Sequence, residues 1–94
     1  MTIVYSRRAL SQLASVHEYL HERNHSGGDK VTASIRRTIE RLRELPLLGK
    51  VTDEAGVHVI IEPEYLYRVF YRIGGCEVFV IRILHGRQTR GGDF

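Results

Sequence analysis

Residues 65–85 read YLYRVFYRIGGCEVFVIRILH, and this stretch decides the fold. Residues 65–73 are rich in aromatic and β-branched side chains, Gly74-Gly75 is a reversal signal, and 76–85 resumes the same chemistry, so the stretch predicts a β-hairpin. With a loop of two or of four residues the facing is the same. One face carries Tyr67, Val69, Tyr71 and Ile73 beside Cys76, Val78, Val80, Arg82 and Leu84. The other carries Leu66, Arg68, Phe70 and Arg72 beside Glu77, Phe79, Ile81, Ile83 and His85. A two-residue loop puts Arg72 opposite Glu77, a favourable cross-strand pair. Arg82 and Tyr67 then share a face and can meet by a cation–π contact. Both faces hold apolar residues. One must pack on helices and the other is open to a partner; the pattern does not say which.

Working outward, 57–61 reads as a third strand, closed by Glu62-Pro63-Glu64, after a polar loop over 51–56. At the other end, TIVY (2–5) reads as a short strand and Ser6 as the cap of a helix over 7–24. Ala9, Leu10, Leu13, Val16 and Leu20 fall in one arc of that helix. His25-Ser26-Gly27-Gly28 stops it. Asp29 is expected to cap a second helix, whose apolar arc is Val31, Ile35, Ile39, Leu42 and Leu45. Arg36, Arg37, Arg41 and Arg43 alternate with Glu40 and Glu44 beside that arc. Pro46 ends it at Leu45. Two amphipathic helices with a short connection make an antiparallel hairpin. The order is β-α-α-β-β-β: an α+β fold with a helical hairpin packed on one side of a small, mostly antiparallel sheet. One domain is expected over 1–88, with a flexible tail over 89–94.

At 94 residues the chain has room for a single core and none for a two-domain cofactor enzyme. Apolar residues at 43% and charged ones at 27% exclude a disordered chain. No apolar run reaches the roughly 18 residues of a membrane span and no signal-peptide core is evident, so a cytoplasmic address is expected. The lone Cys76 cannot staple the fold. Net charge is +3, and of 14 basic residues all but Lys30 and Lys50 are arginine. Arginine suits bidentate recognition of phosphate or carboxylate, so an anionic partner is expected. So small a core also favours a partner that covers exposed apolar surface.

His17-Glu18-Tyr19-Leu20-His21 matches H-E-x-x-H, the zinc-protease pattern in which two histidines on one helix face grip the metal. The wheel opposes that reading. His17 falls within the apolar arc, His21 at its edge, and His25 drifts to solvent. A two-helix, small-sheet chain also leaves little room for a third ligand and a substrate cleft. No metal and no cofactor are expected.

Four segments together carry a resemblance over about residues 2–88. They are 13–24 with Tyr19 at the centre, Leu45-Pro46-Leu47-Leu48-Gly49-Lys50, Tyr67-Arg68-Val69-Phe70-Tyr71-Arg72-Ile73, and Ile81-Arg82-Ile83-Leu84-His85-Gly86-Arg87-Gln88. The chain resembles the RelE/ParE superfamily of toxins from bacterial type II toxin–antitoxin modules, and the long helix pair, the Pro-Leu-Leu-Gly turn and the Leu-His-Gly-Arg ending look closer to ParE. The resemblance implies a toxin neutralised by a cognate antitoxin that wraps it and reaches operator DNA on its behalf. ParE-like members poison DNA gyrase and block replication. The alternative is a RelE-like, ribosome-dependent mRNA interferase, a metal-independent endoribonuclease. Arg68 and Arg87 would then hold the phosphate and His85 would move a proton. Where RelE-like chains often have a lysine pair, this chain has His58, a position where many ParE-like chains have arginine. The tyrosine that RelE-like chains carry after the last strand is absent from 89–94. A third reading keeps the chain only as a co-repressor bound to its antitoxin.

Overall fold

The structure is a computed structural model that describes residues 1–86. Arg87 and the tail expected over 89–94 lie outside the described residues. The elements are β1 (Thr2–Tyr5), α1 (Arg7–Arg23), α2 (Gly27–Glu40), a single 3-10 turn (Arg41–Arg43), β2 (Lys50–Val51), β3 (His58–Ile61), β4 (Tyr67–Gly74) and β5 (Glu77–His85). They form one sheet in the order β1-β5-β4-β3-β2. Only β1–β5 is parallel; the other pairs are antiparallel. The expected α+β class and element order hold, with one strand more than the sequence reading had.

Ser6 ties the first helix to the sheet. Its hydroxyl accepts from the Ala9 backbone N–H at 2.9 Å, which caps α1, and donates to the Ile81 carbonyl at 2.7 Å. Ala9 and Leu13 of α1, and Val31, Ile35, Ile39 and Leu42 of α2 and its 3-10 extension, then pack on Ile60, Val69, Tyr71, Val78, Val80 and Ile83. Ile35, Ile39, Leu42 and Tyr71 are fully buried. Each such aliphatic side chain contributes about 1.5–3 kcal/mol from removal of apolar area from water. Tyr71 keeps its hydroxyl satisfied: it donates to the Pro46 carbonyl at 2.8 Å and accepts from the Gly49 N–H at 2.9 Å, pinning the loop ahead of β2.

The helical hairpin differs from expectation at both ends of α2. The helix begins at Gly27, two residues before Asp29, which therefore lies in the first turn rather than at the cap. Gly28 lies where the helices meet: a Cβ on it would stand 2.6 Å from the His17 carbonyl oxygen, whereas Gly27 faces only the Asn24 side chain. At the far end the α-helix stops at Glu40 and its last turn tightens to 3-10 geometry before Leu45-Pro46, the residue before proline being biased away from the helical region. Lys50 and Val51 add the extra edge strand, pairing with Val59 and His58 in what reads as loop in the sequence.

The largest correction concerns the β4–β5 hairpin. The turn is Gly75-Cys76, with Gly75 in the left-handed region at φ +58°, so Gly74 pairs Glu77 and Arg72 pairs Phe79. The expected Arg72–Glu77 pair is not formed. Further along, a β-bulge interrupts the ladder: Tyr71 pairs Val80 but Phe70 pairs Arg82. The extra residue, Ile81, packs with Arg82's side of the sheet, against Phe70, Leu84 and Val57. Side-chain alternation is therefore reset by one residue. Ile83 and His85 turn to the helix-covered face, and Arg82 and Leu84 turn to the uncovered one. Arg82 accordingly stacks its guanidinium on Phe70 at 4.3 Å, not on Tyr67.

Candidate functional site

The two faces of the sheet present different chemistry. On the uncovered face, Val57, Phe70 and Leu84 form a small buried cluster flanked by Val59 and Ile81. Arg68, Arg72 and Arg82 project on this side of β4 and β5. Arg68 Nη2 donates to the Gly86 carbonyl at 3.3 Å, close to the end of β5. Arg72 and Arg82 converge on one carboxylate: Glu54, from the 52–56 loop, lies 3.4 Å from Arg72 Nη2 and 3.2 Å from Arg82 Nη2. Arg72 Nη1 also donates to the Ala55 carbonyl at 3.2 Å. The loop folds on itself. Thr52 N–H and Thr52 Oγ both bond the Val57 carbonyl, and the Val57 N–H returns to the Glu54 carbonyl. Glu54 took no part in the sequence reading, because a contact spanning 28 residues to Arg82 leaves no local periodic trace.

On the helix-covered side, a cleft of about 370 Å³ opens between α1 and the end of β5. Gln12, Ser15, Val16, Tyr19, Tyr67, Ile83 and His85 line it. The cleft exists because β1 ends at Tyr5, so α1 supplies the neighbour for the rest of β5. Gln12 Oε1 accepts from the Ile83 N–H at 2.6 Å in the place of a strand partner. His85 stands edge-on to Tyr67, ring centroids 4.9 Å apart. Burial pushes the Tyr67 hydroxyl above its ordinary value, and the nearby Glu62 carboxylate and Tyr19 add to the shift, which favours the protonated phenol.

Of the residues singled out for phosphate chemistry, Arg68 and His85 are thus carried on opposite faces of the sheet. Arg87 lies outside the described residues. His58 packs its ring on Tyr71, centroids 5.3 Å apart, on the helix-covered side. In the H-E-x-x-H segment, His17 Nε2 is 2.7 Å from Asp29 Oδ1 across the helical hairpin. The His17 and His21 rings stack at 5.6 Å, and His25 meets His21 edge-on at 4.8 Å. The row of histidines stitches the end of α1 to the turn and to α2.

A third surface runs along α2. Arg36, Arg37, Arg41 and Arg43 edge an open groove of about 1050 Å³ whose floor includes Ala33, Leu45 and Pro63. Glu40 holds Arg43 through two hydrogen bonds of 3.0 Å, and Glu64 lies 3.9 Å from Arg37. Leu45 in the groove, and Leu47, Leu48 and Val51 after it in the chain, stand exposed. No helix of the described chain is long and apolar enough to cross a membrane.

Solved structures share this architecture. The chromosomal ParDE toxin–antitoxin system from P. aeruginosa aligns over 90% of this chain and 95% of the other at TM-score 0.69 and 18% identity. The intact E. coli RelBE toxin–antitoxin complex aligns over 93% and 98% at TM-score 0.70 and 18% identity. The isolated E. coli RelE toxin aligns over 98% and 90% at TM-score 0.71 and 17% identity. At such identities these are likenesses of fold. Comparison with curated protein sequences gave no match. The family model for the ParE toxin of the type II toxin–antitoxin system parDE matches residues 3–90. The chain is a member of the ParE toxin family, within the RelE/ParE superfamily.

Proposed function

We propose that this toxin acts as a binding poison of DNA gyrase, trapping the gyrase–DNA complex and blocking replication, and that a cognate antitoxin neutralises it. The antitoxin would also carry the toxin to operator DNA. The site of action would be cytoplasmic. The observation that supports gyrase over mRNA is the bulge at Ile81, which turns His85 away from Arg68. Cleavage of RNA by attack of a 2′-hydroxyl needs a proton carrier and a cation around one phosphate. Here the sheet separates the two candidates, whereas a binding poison requires no such convergence. The antitoxin reading is supported by the exposed Leu45, Leu47, Leu48 and Val51 that follow the α2 arginines in the chain, the chemistry that an acidic, amphipathic segment would cover. It is supported too by the fold shared with toxins of the ParDE and RelBE systems.

The test is direct. Purified toxin added to gyrase and plasmid DNA should inhibit supercoiling and accumulate cleaved DNA. Cuts in A-site mRNA on translating ribosomes, with gyrase unaffected, would replace this reading by the interferase one, in which Arg68, His85 and Arg87 carry the chemistry.

A further inference from the structure

On the uncovered face of the sheet, a carboxylate of the chain itself occupies a ready-made carboxylate site. Arg72 on β4 and Arg82 on β5 present one guanidinium nitrogen each to the two oxygens of Glu54, at 3.4 and 3.2 Å. The Arg82 side chain is held rigid. It is buried to 6% exposure and flat on Phe70. Arg72 and Glu54 are about half exposed, with side-chain exposures of 48% and 46%. The loop backbone is fixed by its own Thr52, Glu54 and Val57 hydrogen bonds. A turn of the Glu54 side chain would withdraw its carboxylate from both arginines, while Arg72 keeps its bond to the Ala55 carbonyl.

We propose that the Arg72–Arg82 pair is a seat for an acidic side chain of a partner protein, and that Glu54 holds the seat until the partner's carboxylate exchanges for it. The proposal rests on the reading that an antitoxin covers this toxin, and it assigns that partner a contact on the uncovered face. Two features favour an acidic, partly apolar polypeptide over a nucleic-acid backbone. The present occupant is a carboxylate that meets one guanidinium nitrogen of each arginine. Apolar residues on the same face are open: Phe79, the ladder partner of Arg72, is 37% exposed, and Ile61, farther along opposite Arg68, is 51% exposed. An amphipathic acidic segment fills both kinds of place at once, whereas a uniformly charged phosphodiester chain would leave the apolar places unused. Exchange of one carboxylate for another keeps an acidic group on the buried Arg82 before and after. The device makes the free toxin's face less basic than its arginine count suggests, and so less prone to promiscuous anion binding.

The experiment is an anisotropy titration of the toxin with a fluorescein-labelled synthetic peptide of interleaved glutamate and leucine. A labelled single-stranded oligonucleotide is titrated in parallel. Glu54→Gln removes the resident charge and should tighten the peptide about threefold to fivefold, since half-exposed ion pairs contribute up to about 1 kcal/mol each. Arg72→Gln in that background should abolish the gain. Glu22→Gln, the same charge change on α1, should leave the peptide affinity unchanged. Equal tightening by Glu22→Gln, tightening of the oligonucleotide alone, or no change in a folded Glu54→Gln protein would each overturn the proposal. If Glu54→Gln does not fold, Arg72→Gln in the native background serves instead. It should weaken peptide binding, and unaltered binding would overturn the seat. Co-purification of the toxin with its cognate antitoxin reports separately on the antitoxin reading. A complex that forms equally well with Arg72→Gln sinks the seat alone, and no complex at all sinks the reading beneath it.

Discussion

His85 stands edge-on to Tyr67, ring centroids 4.9 Å apart, on the side of the sheet that carries the helices. Its neighbour across the ladder is thus the wall of a cleft, and the Arg68 guanidinium is on the other side of the sheet. The pairing gives the histidine a packing role at the end of β5, next to Gln12 and Tyr19.

His85→Ala should therefore cost about 1 kcal/mol of stability, the scale of an aromatic edge contact, and leave inhibition of gyrase within a few-fold of wild type. His85→Phe should recover the stability without restoring a proton carrier. Denaturant melts beside supercoiling assays on the three proteins check both halves. Loss of toxicity in His85→Phe with stability intact would return the histidine to chemistry.

That contact was hidden in the sequence for a physical reason. From Val78 to Leu84 every residue but Arg82 is apolar, so a strand slipped by one residue at Ile81 fits the hydrophobic pattern as well as a regular one. The bulge is legible only through the partner strand, where Phe70 and Tyr71 register with Arg82 and Val80. What depends on local pattern was legible: the Ser6 cap, the hairpin and most of both helical arcs, although Leu10 and Leu45 stand exposed. What depends on distant contact was not. The Glu54 bridge is one case. The entry to α2 is another, for the sequence reads Gly27-Gly28 as a stop when Gly28 lies at the close approach of α2 to His17.

The helix crossing makes a paired prediction. Gly28→Ala would force a Cβ to 2.6 Å from the His17 carbonyl, a backbone atom that cannot yield without moving α1. Gly27→Ala meets only the Asn24 side chain, at 3.4 Å. The first should destabilise by about 1–3 kcal/mol through overpacking. The second should be neutral or stabilise by up to about 1 kcal/mol through helix propensity. Thermal melts of the two variants separate the cases. Equal behaviour would mean the helices can separate freely at this point.

Leu66 is the only non-glycine with a positive φ among the described residues, at +64°. Its N–H bonds the Glu62 carbonyl and its own carbonyl accepts from Gly86, so the turn into β4 and the exit from β5 hold it there. The side chain is 57% exposed and gains little from burial. Leu66→Gly should thus stabilise the fold by up to about 1 kcal/mol by relieving left-handed strain. Leu66→Val, branched at Cβ, should destabilise it. Denaturation midpoints of the three proteins give the order expected, and a destabilised Leu66→Gly would show that the leucine side chain anchors the turn.

Glu62 should make the fold sensitive to acid. It is fully buried at the turn between β3 and β4. Burial alone would raise its pKa, but the Ser34 hydroxyl at 2.7 Å and the backbone N–H groups of Tyr65, Glu64 and Tyr67 outweigh burial and hold the carboxyl below the ordinary 4.5. A depressed folded pKa means that the unfolded chain takes up the proton first as pH falls. The contribution to stability is whole above about 4.5 and drains away as pH falls through the lower, folded value. Glu62→Gln keeps the size but loses the charge, and presents one carbonyl where two carboxylate oxygens accepted four donors. At pH 7 it should cost about 1–3 kcal/mol for the N–H groups left unsatisfied. Its stability should also fall less steeply than wild type between pH 5 and 3, so the two curves converge in acid. Urea melts across that range measure the difference directly. Parallel curves would mean that Glu62 takes up its proton at the same pH in the folded and unfolded chains, so that its hydrogen bonds do not favour the charged form.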